Sequence, residues 1–179
     1  MSKQVDSFFS DYVYGWMFED IEKMIKVGCN YPAALCISVY CEVFGKLIQQ
    51  DFSKGNNKSK FQAFLPFLGK KYTDVDNEMK KAGDSLYSRL RCGLVHDYLL
   101  KHEDVVSTRG HEGVYYDPVK NSLVIGLDVL FNDFKNGAKQ LHRTMLSAGK
   151  IIPKDLVSGS SQIYIYKSEP ISTEEKVGE

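Results

Sequence analysis

The chain has little that would commit it to a membrane, a secretory route or a metal. No stretch approaches the ~18 consecutive apolar residues that span a bilayer. The opening residues lead into a segment interrupted by Asp11, Glu19 and Asp20 rather than into an apolar leader with a small-residue cleavage site. A cytoplasmic protein with no signal peptide and no membrane contact is expected. Cysteines number only 4 in 179 residues, and Cys29, Cys36, Cys41 and Cys92 form no CxxC pair. That spacing suits neither a disulfide framework nor a zinc site, so reduced, buried cysteines are expected. Net charge is also lacking, with Lys+Arg and Asp+Glu both 23. The bulk field therefore draws in neither nucleic acid nor membrane, and any polyanion site must be local. Glycine-rich phosphate loops and GxSxG elbows are missing too, which removes the nucleotide-loop and serine-hydrolase classes. His102, Glu103 and Asp104, with His111, Glu112 and Asp97, supply metal-ligand types in no compact ligand pattern. No metal and no cofactor are expected.

What the chain does have is helical periodicity. Between about Asp6 and Val27, the residues Phe9, Val13, Trp16, Met17, Ile21, Met24 and Ile25 recur at threes and fours, and Gly28 is placed as a stop. Asn30 and Pro32 suit the start of a second helix running to about Gln50, apolar enough to be central. Glu42 lies among its apolar residues, where a carboxylate reaches solvent or meets a cation. A polar loop from Phe52 to Ser59 precedes a short lid of one or two turns, Phe61 to Leu68, containing Pro66. A third long helix is predicted from Asp74 or Asp76 to Tyr98.

The period then changes. Val114 to Tyr116 and Leu123 to Ile125 flank Asp117-Pro-Val-Lys-Asn121, which predicts a hairpin near 113–126 that must lean on helices. Leu127 to Leu146 returns to helical spacing, closed by Gly149. Ser158 to Ser161 reads as a linker, Ile163 to Tyr166 as an edge strand, and Ser168 to Glu179 as a mobile polar tail. The expected organisation is one helical domain over 1–150, with a strand-like segment and tail over 151–179. An all-α class with a small β-hairpin insertion follows, and a chain of this length buries roughly 70% of its unfolded surface.

The chemistry concentrates in Arg89-Leu-Arg-Cys-Gly-Leu-Val-His96-Asp-Tyr98, two guanidinium groups, an imidazole and a phenol within a few helical turns. Arginine keeps its charge, whereas histidine exchanges a proton near neutrality, so together they offer an anion clamp and a proton shuttle. On an ideal α-helix Arg89 lies beside His96, and Arg91 is about 140° away from it. Gly93 is positioned to bend the helix and swing Arg91 towards the imidazole, so spacing leaves the choice of arginine open. Leu86, Leu90 and Leu94 form the adjoining buried stripe. Glu42, Asp84 and Asp97 are available as carboxylate partners of the arginines.

Arg91-Cys-Gly-Leu-Val-His96-Asp-Tyr98 resembles the R-x4-H signature, extended to R-x4-H-x-Y, of the HEPN domain family. The resemblance in helix order covers about residues 6–147. It implies an HEPN-like antiparallel helical bundle, usually dimeric, and a metal-independent endoribonuclease of a toxin or defence type. It implies His96 and Arg91 as catalytic residues with Arg89 assisting, and Tyr98, Asp97 and Glu42 as RNA-binding or regulatory groups. In some toxin–antitoxin pairs of the family a nucleotidyltransferase partner modifies the tyrosine of x-Tyr, here Tyr98. RNA carries its own nucleophile in the 2′-hydroxyl, and histidine serves as base or acid for its attack. One histidine does not easily do both, so a homodimer apposing two copies of His96 is expected. The alternative is a catalytically inactive dimeric module of the same fold that binds a nucleotide, RNA or a protein partner.

Overall fold

Val5, Phe9, Val13, Met17 and Ile21 recur every four residues, and that interval shapes the N-terminal helix. On an α-helix a four-residue step overshoots a full turn by about 40°, so five such residues would wander off one face. A computed structural model describes residues 2–96, 104–107 and 113–153, and only the backbone of Ser2 and His96. It shows a continuous helical run of α1 (Ser2–Ser7), a π-helical segment π1 (Phe8–Met17) and α2 (Phe18–Lys26). Hydrogen bonds from i to i+5 put more residues into each turn, which holds a four-residue repeat on one side. Val5, Phe9, Val13 and Ile21 are all buried, and Met17 packs at the edge of the core. Trp16, expected on the same stripe, is instead 45% exposed and set edge-on to Tyr12 at 5.0 Å. Gly28 stops the run at φ +79°.

The second helix forms as expected. It is α3 (Asn30–Gln49), with Pro32 in the first turn, where a missing N–H is harmless. By length and composition α3 would pass for a membrane span, but half of its apolar window is buried inside the fold. It crosses α4 (Asn57–Leu68) so closely that a Cβ on Gly45 would lie 1.8 Å from the Lys60 carbonyl oxygen. The segment read as a short helical lid around Pro66 is helical, but α4 begins at Asn57 and packs into the core, and the polar loop does not last to Ser59. Phe61, Phe64, Leu65 and Leu68 are buried at helical spacing. Burial at about 1.5–3 kcal/mol per side chain outweighs the roughly 3 kcal/mol that an internal proline costs. Lys60 is fully buried. Its ammonium donates to the carbonyls of Ser53 at 2.6 Å and Gly55 at 2.9 Å, with Asp51 at 3.4 Å, and so ties down the loop before α4.

The long helix predicted from Asp74 or Asp76 to Tyr98 is two helical pieces. Helix α5 (Lys70–Lys81) ends before Gly83, whose φ of +77° no helix continues. A second π segment, π2 (Tyr87–Gly93), then runs into α6 (Leu94–His96). Asp76 does not start its own helix. Its buried carboxylate accepts the Leu86 N–H at 2.9 Å and so caps the next one, braced by Lys80 at 2.7 Å and Gln62 at 3.1 Å. Leu86, Leu90 and Leu94, again four apart, form the buried stripe expected of them.

The hairpin is present as β2 (Val114–Asp117) and β3 (Ser122–Gly126), antiparallel, with Asp117 accepting the turn N–H groups of Val119 and Lys120. An unforeseen strand, β1 (Val105–Ser107), pairs parallel to β3, giving the order β1-β3-β2. β3 is therefore central and buried at every position, and the sheet leans on α5 and on α7 (Leu127–Ser147). Helix α7 ends as expected before Gly149, at φ +61°. The protein is mainly helical, a helical bundle with a small sheet. Its centre is aromatic: Phe44 stacks on Phe134 at 5.4 Å and meets Phe64 at 4.9 Å. Of the cysteines only Cys41 is buried; Cys36 and Cys92 are half-exposed and Cys29 is exposed. That corrects the expectation of buried thiols, because Cys29 lies in the break before α3 while Cys36 and Cys92 fall at the edge of the buried faces of their helices. The linker, edge strand and tail read at 158–179 lie outside the described residues.

Candidate functional site

Residues 89–96 of the motif lie on π2 and α6, anchored at the start by three carboxylate or hydroxyl caps. Asp76 caps Leu86, Asp84 accepts the Ser85 N–H at 2.8 Å, and the Ser85 hydroxyl accepts the Ser88 N–H at 3.2 Å. Within π2 each residue turns the chain by less than the α-helical 100°. Across the five steps from Arg91 to position 96 this narrows the separation of about 140° expected for a straight α-helix. Across the seven steps from Arg89 it moves that arginine away from position 96. Gly93 achieves this without a close approach, since a Cβ there would sit 3.6 Å from the Ser88 carbonyl oxygen, an ordinary contact.

The two arginines meet opposite fates. The Arg89 side chain is 2% exposed, and each of its nitrogens is engaged. Nη1 donates to both oxygens of Asp104, at 2.8 and 3.0 Å, and to the Asn121 carbonyl at 3.1 Å. Nη2 donates to Asn121 Oδ1 at 2.6 Å, and Nε donates to Asp84. Asp104 in turn accepts the Leu123 N–H at 2.6 Å, and Tyr116 donates its hydroxyl to Asn121 at 2.7 Å. This hub locks π2 to β1, β3 and the hairpin turn. A buried guanidinium with all three nitrogens engaged is not presented to a phosphate.

Arg91 is 23% exposed, and among the described residues its hydrogen bond is from Nε to Glu42 Oε1, at 2.6 Å, with the Glu42 side chain 8% exposed. Glu42 therefore finds the cation anticipated for it. Burial works to lower the Arg91 pKa, but the hydrogen bond and charge of Glu42 outweigh it and the net direction is upward. The arginine stays charged. Glu42 does not engage the Nη edge, the face with which a guanidinium grips a phosphate bidentately.

Tyr87, not singled out in the sequence, belongs to the same cluster. Burial, with Cys92 and Glu42, pushes its phenol above the ordinary value while Arg91 pulls the other way. Four and five residues separate Tyr87 from Arg91 and Cys92, the intervals that a π turn brings together. His96 lies on α6 by its backbone, and Asp97 and Tyr98 are outside the described residues. Of the histidines and carboxylates at 97, 102–104, 111 and 112, in which no metal site is read, only Asp104 is described, and Arg89 holds it. No cluster of three or more ligand-type side chains occurs among the described residues.

A second polar constellation went unread. Tyr14 Oη is 2.9 Å from His142 Nδ1, and His142 Nε2 is 3.0 Å from Asp6 Oδ1. The imidazole stacks on Phe9 at 4.4 Å, 6° from parallel. The neutral tautomer protonated on Nε2 satisfies both bonds. The contact joins residues 128 and 136 apart in sequence, and no local spacing signals it.

Fold and site together define a helical bundle with a small sheet, carrying one half-open arginine on a π-helical turn. Compared with protein-family models, with curated proteins and with solved structures, the chain matches none.

Proposed function

We propose that the chain is a metal-independent endoribonuclease of the HEPN type, acting in a toxin or defence role in the cytoplasm. The observation that carries this reading is the contrast between the arginines. Arg89 is consumed in a buried hub, while Arg91, the arginine of R-x4-H, is half-open with its Nη edge outside the Glu42 contact. In this reading the 2′-hydroxyl oxygen attacks phosphorus and the bond to the 5′-oxygen breaks, leaving a 2′,3′-cyclic phosphate and a 5′-hydroxyl. One His96 takes the 2′ proton, and a second His96, from the other subunit of a homodimer, gives a proton to the leaving oxygen. Arg91 meets the charge that builds on the phosphoryl oxygens. Glu42 fixes the guanidinium by its Nε, and Tyr98 is the regulatory position where a nucleotidyltransferase partner would add charge beside Arg91.

The test is incubation of the purified protein with mixed RNA in a chelator, wild type beside His96→Ala. Cleavage to 2′,3′-cyclic phosphate ends, lost in the variant, is expected. Equal cleavage by both, or none by either, overturns the reading. A second reading has its own observation. Glu42 already neutralises Arg91 in the free protein, which suits a non-catalytic dimeric module that binds RNA, a nucleotide or a protein. Specific RNA binding without cleavage selects it.

A further inference from the structure

Helix α7 carries Lys135, Lys139 and Arg143 at four-residue intervals, so they rise by about 6 Å per step along one side of the helix. Lys139 and Arg143 are exposed and Lys135 is half-buried, its ammonium held over the Phe131 ring at 4.4 Å from the centroid. Among the described residues, the side chains of α7 that meet an oppositely charged partner are Asp133, with Lys71, and His142, with Asp6. The three cations of the ridge have no carboxylate in ion-pair contact. Asp128, the other acid of the helix, precedes Lys135 by seven residues, about 10 Å along the axis. By contrast Lys23, Lys26, Lys70 and Lys80, also on helices, each have a carboxylate of their own helix within 3.5 Å.

The complementary charge lies in the chain itself. Residues 168–179 hold four glutamates and one lysine, a net charge of −3, and the preceding residues therefore carry +3 in a chain whose total is zero. We propose that residues 168–179 dock in cis along this ridge, their glutamates meeting Lys135, Lys139 and Arg143. The proposal does not depend on the ribonuclease reading. Ile152 is buried and pins the chain just past the end of α7. The sixteen residues from Pro153 to Glu169 span at most about 55 Å, and Lys135, the farthest cation, lies twelve residues before Ser147, about 18 Å of helix. The whole ridge is within reach. Attachment also sets an effective concentration in the millimolar range. The same segment of a second copy, or a free polyanion, meets the three cations without that advantage. Each exposed pair is worth about 1.4- to 5-fold, so the contact depends on all three cations together and loosens with salt.

The experiment treats the full chain with a carbodiimide, which joins a carboxylate to an amine only where the two touch, and maps the products by mass spectrometry. An equal mixture of unlabelled and isotope-labelled chains separates links within one chain from links between two. Glutamates of 168–179 should join Lys135 and Lys139 within one chain, at several times the yield seen at Lys58 and Lys81. Those links should fall severalfold between about 20 mM and about 0.5 M salt, and heparin, a soluble polyanion, should displace them. Arg143→Gln should lower the yield at Lys139 by about 1.4- to 5-fold with an unchanged melting temperature, while Arg143→Lys keeps it. Equal yields at Lys58, Lys81 and the ridge, or links that ignore salt, overturn the proposal. Links found only between chains overturn it in favour of a second copy, and links that persist under saturating heparin place the polyanion elsewhere and overturn the charge-driven contact.

Discussion

Replacing Arg89 with methionine tests whether its role is structural. The substitution keeps most of the apolar stem and removes five N–H donors from a hub whose Asp104 side chain is 0% exposed. Asp104 would keep the Leu123 N–H but lose its cation, and Asn121 would lose the donor to its Oδ1. Breaking a buried ion pair in this way costs about 3–5 kcal/mol, against a total of about 5–15 kcal/mol for a domain. At roughly 2–4 °C per kcal/mol for a chain of this size, the melting temperature should drop by about 6–20 °C. Urea unfolding followed by circular dichroism reads the effect. The double variant Arg89→Met/Asp104→Asn should recover part of the loss, because it leaves no unpaired charge at position 104 and keeps an acceptor for the Leu123 N–H. Well below its melting temperature, Arg89→Met should still bind and cut RNA. A cost under about 1 kcal/mol, or a double variant as unstable as the sum of the singles, refutes the hub. Wild-type stability with RNA binding lost would return Arg89 to the site.

Gly45→Ala should lower the melting temperature, since its methyl would meet the Lys60 carbonyl at 1.8 Å and forced separation of packed elements costs about 1–3 kcal/mol; an unchanged melting curve contradicts the close crossing. Burial works to raise the pKa of Asp84, but the bonds from Arg89 and the Ser85 N–H outweigh it and hold the carboxyl below its ordinary value. Its stabilisation is thus complete above the unfolded pKa of about 3.9 and disappears as pH falls through the lower folded value. Asp84→Asn should flatten that part of the acid limb in denaturation curves, and an identical slope rules the contribution out. Glu42→Gln keeps an acceptor for Arg91 Nε, so cleavage should fall less than about tenfold, whereas Glu42→Ala should lose about 10- to 100-fold in kcat through misplacement of the guanidinium. Tighter RNA binding with an unchanged rate in Glu42→Ala would make Glu42 a competitor of phosphate rather than its positioning residue. Gly93→Ala fits the available space and favours regular α-helix by up to about 1 kcal/mol. It should preserve or raise stability while reducing cleavage, and full activity would show that the π register is not needed.

Helix α7 and the hairpin were legible because their signals are local: an unbroken run of threes and fours between Gly126 and Gly149, and two short apolar strands around a turn. Helix α4 was misread for the opposite reason. Asn57 and Pro66 carry strong local signals, but burial of Phe61, Phe64 and Leu68 against α3 and α7 overrides them. The break at Gly83 was missed because the apolar positions on either side, Met79 and Leu86, are seven apart, an interval an unbroken helix also produces. β1 is only three residues long and borrows its register from β3, so it carries too little pattern of its own. At the site, the pairing of Glu42 with a motif arginine was readable from a carboxylate set among apolar neighbours. The hub around Arg89 was not, because Asp104 and Asn121 lie 15 and 32 residues away and look like loop residues until the sheet is assembled.

The π segments explain why the motif's arginines divide as they do. Seven-residue spacing on an α-helix would set Arg89 beside His96 and leave Arg91 on another face. The leucines at 86, 90 and 94 do not repeat at seven; they repeat at four, and all three are buried. The wider turn of π2 holds that four-residue stripe on one side, as π1 does for Phe9 and Val13, although α3 buries Ala33, Ile37 and Cys41 at the same interval on a regular α-helix. Once the core dictates that register, the outer residues have no independent choice. Arg89 is carried round to the sheet, where Asp104, Asp84 and Asn121 close on it, and Arg91 is carried to the open side, where Glu42 steadies it. The register of the motif's helix therefore decides which arginine is buried in the sheet hub and which stays part-exposed beside Glu42.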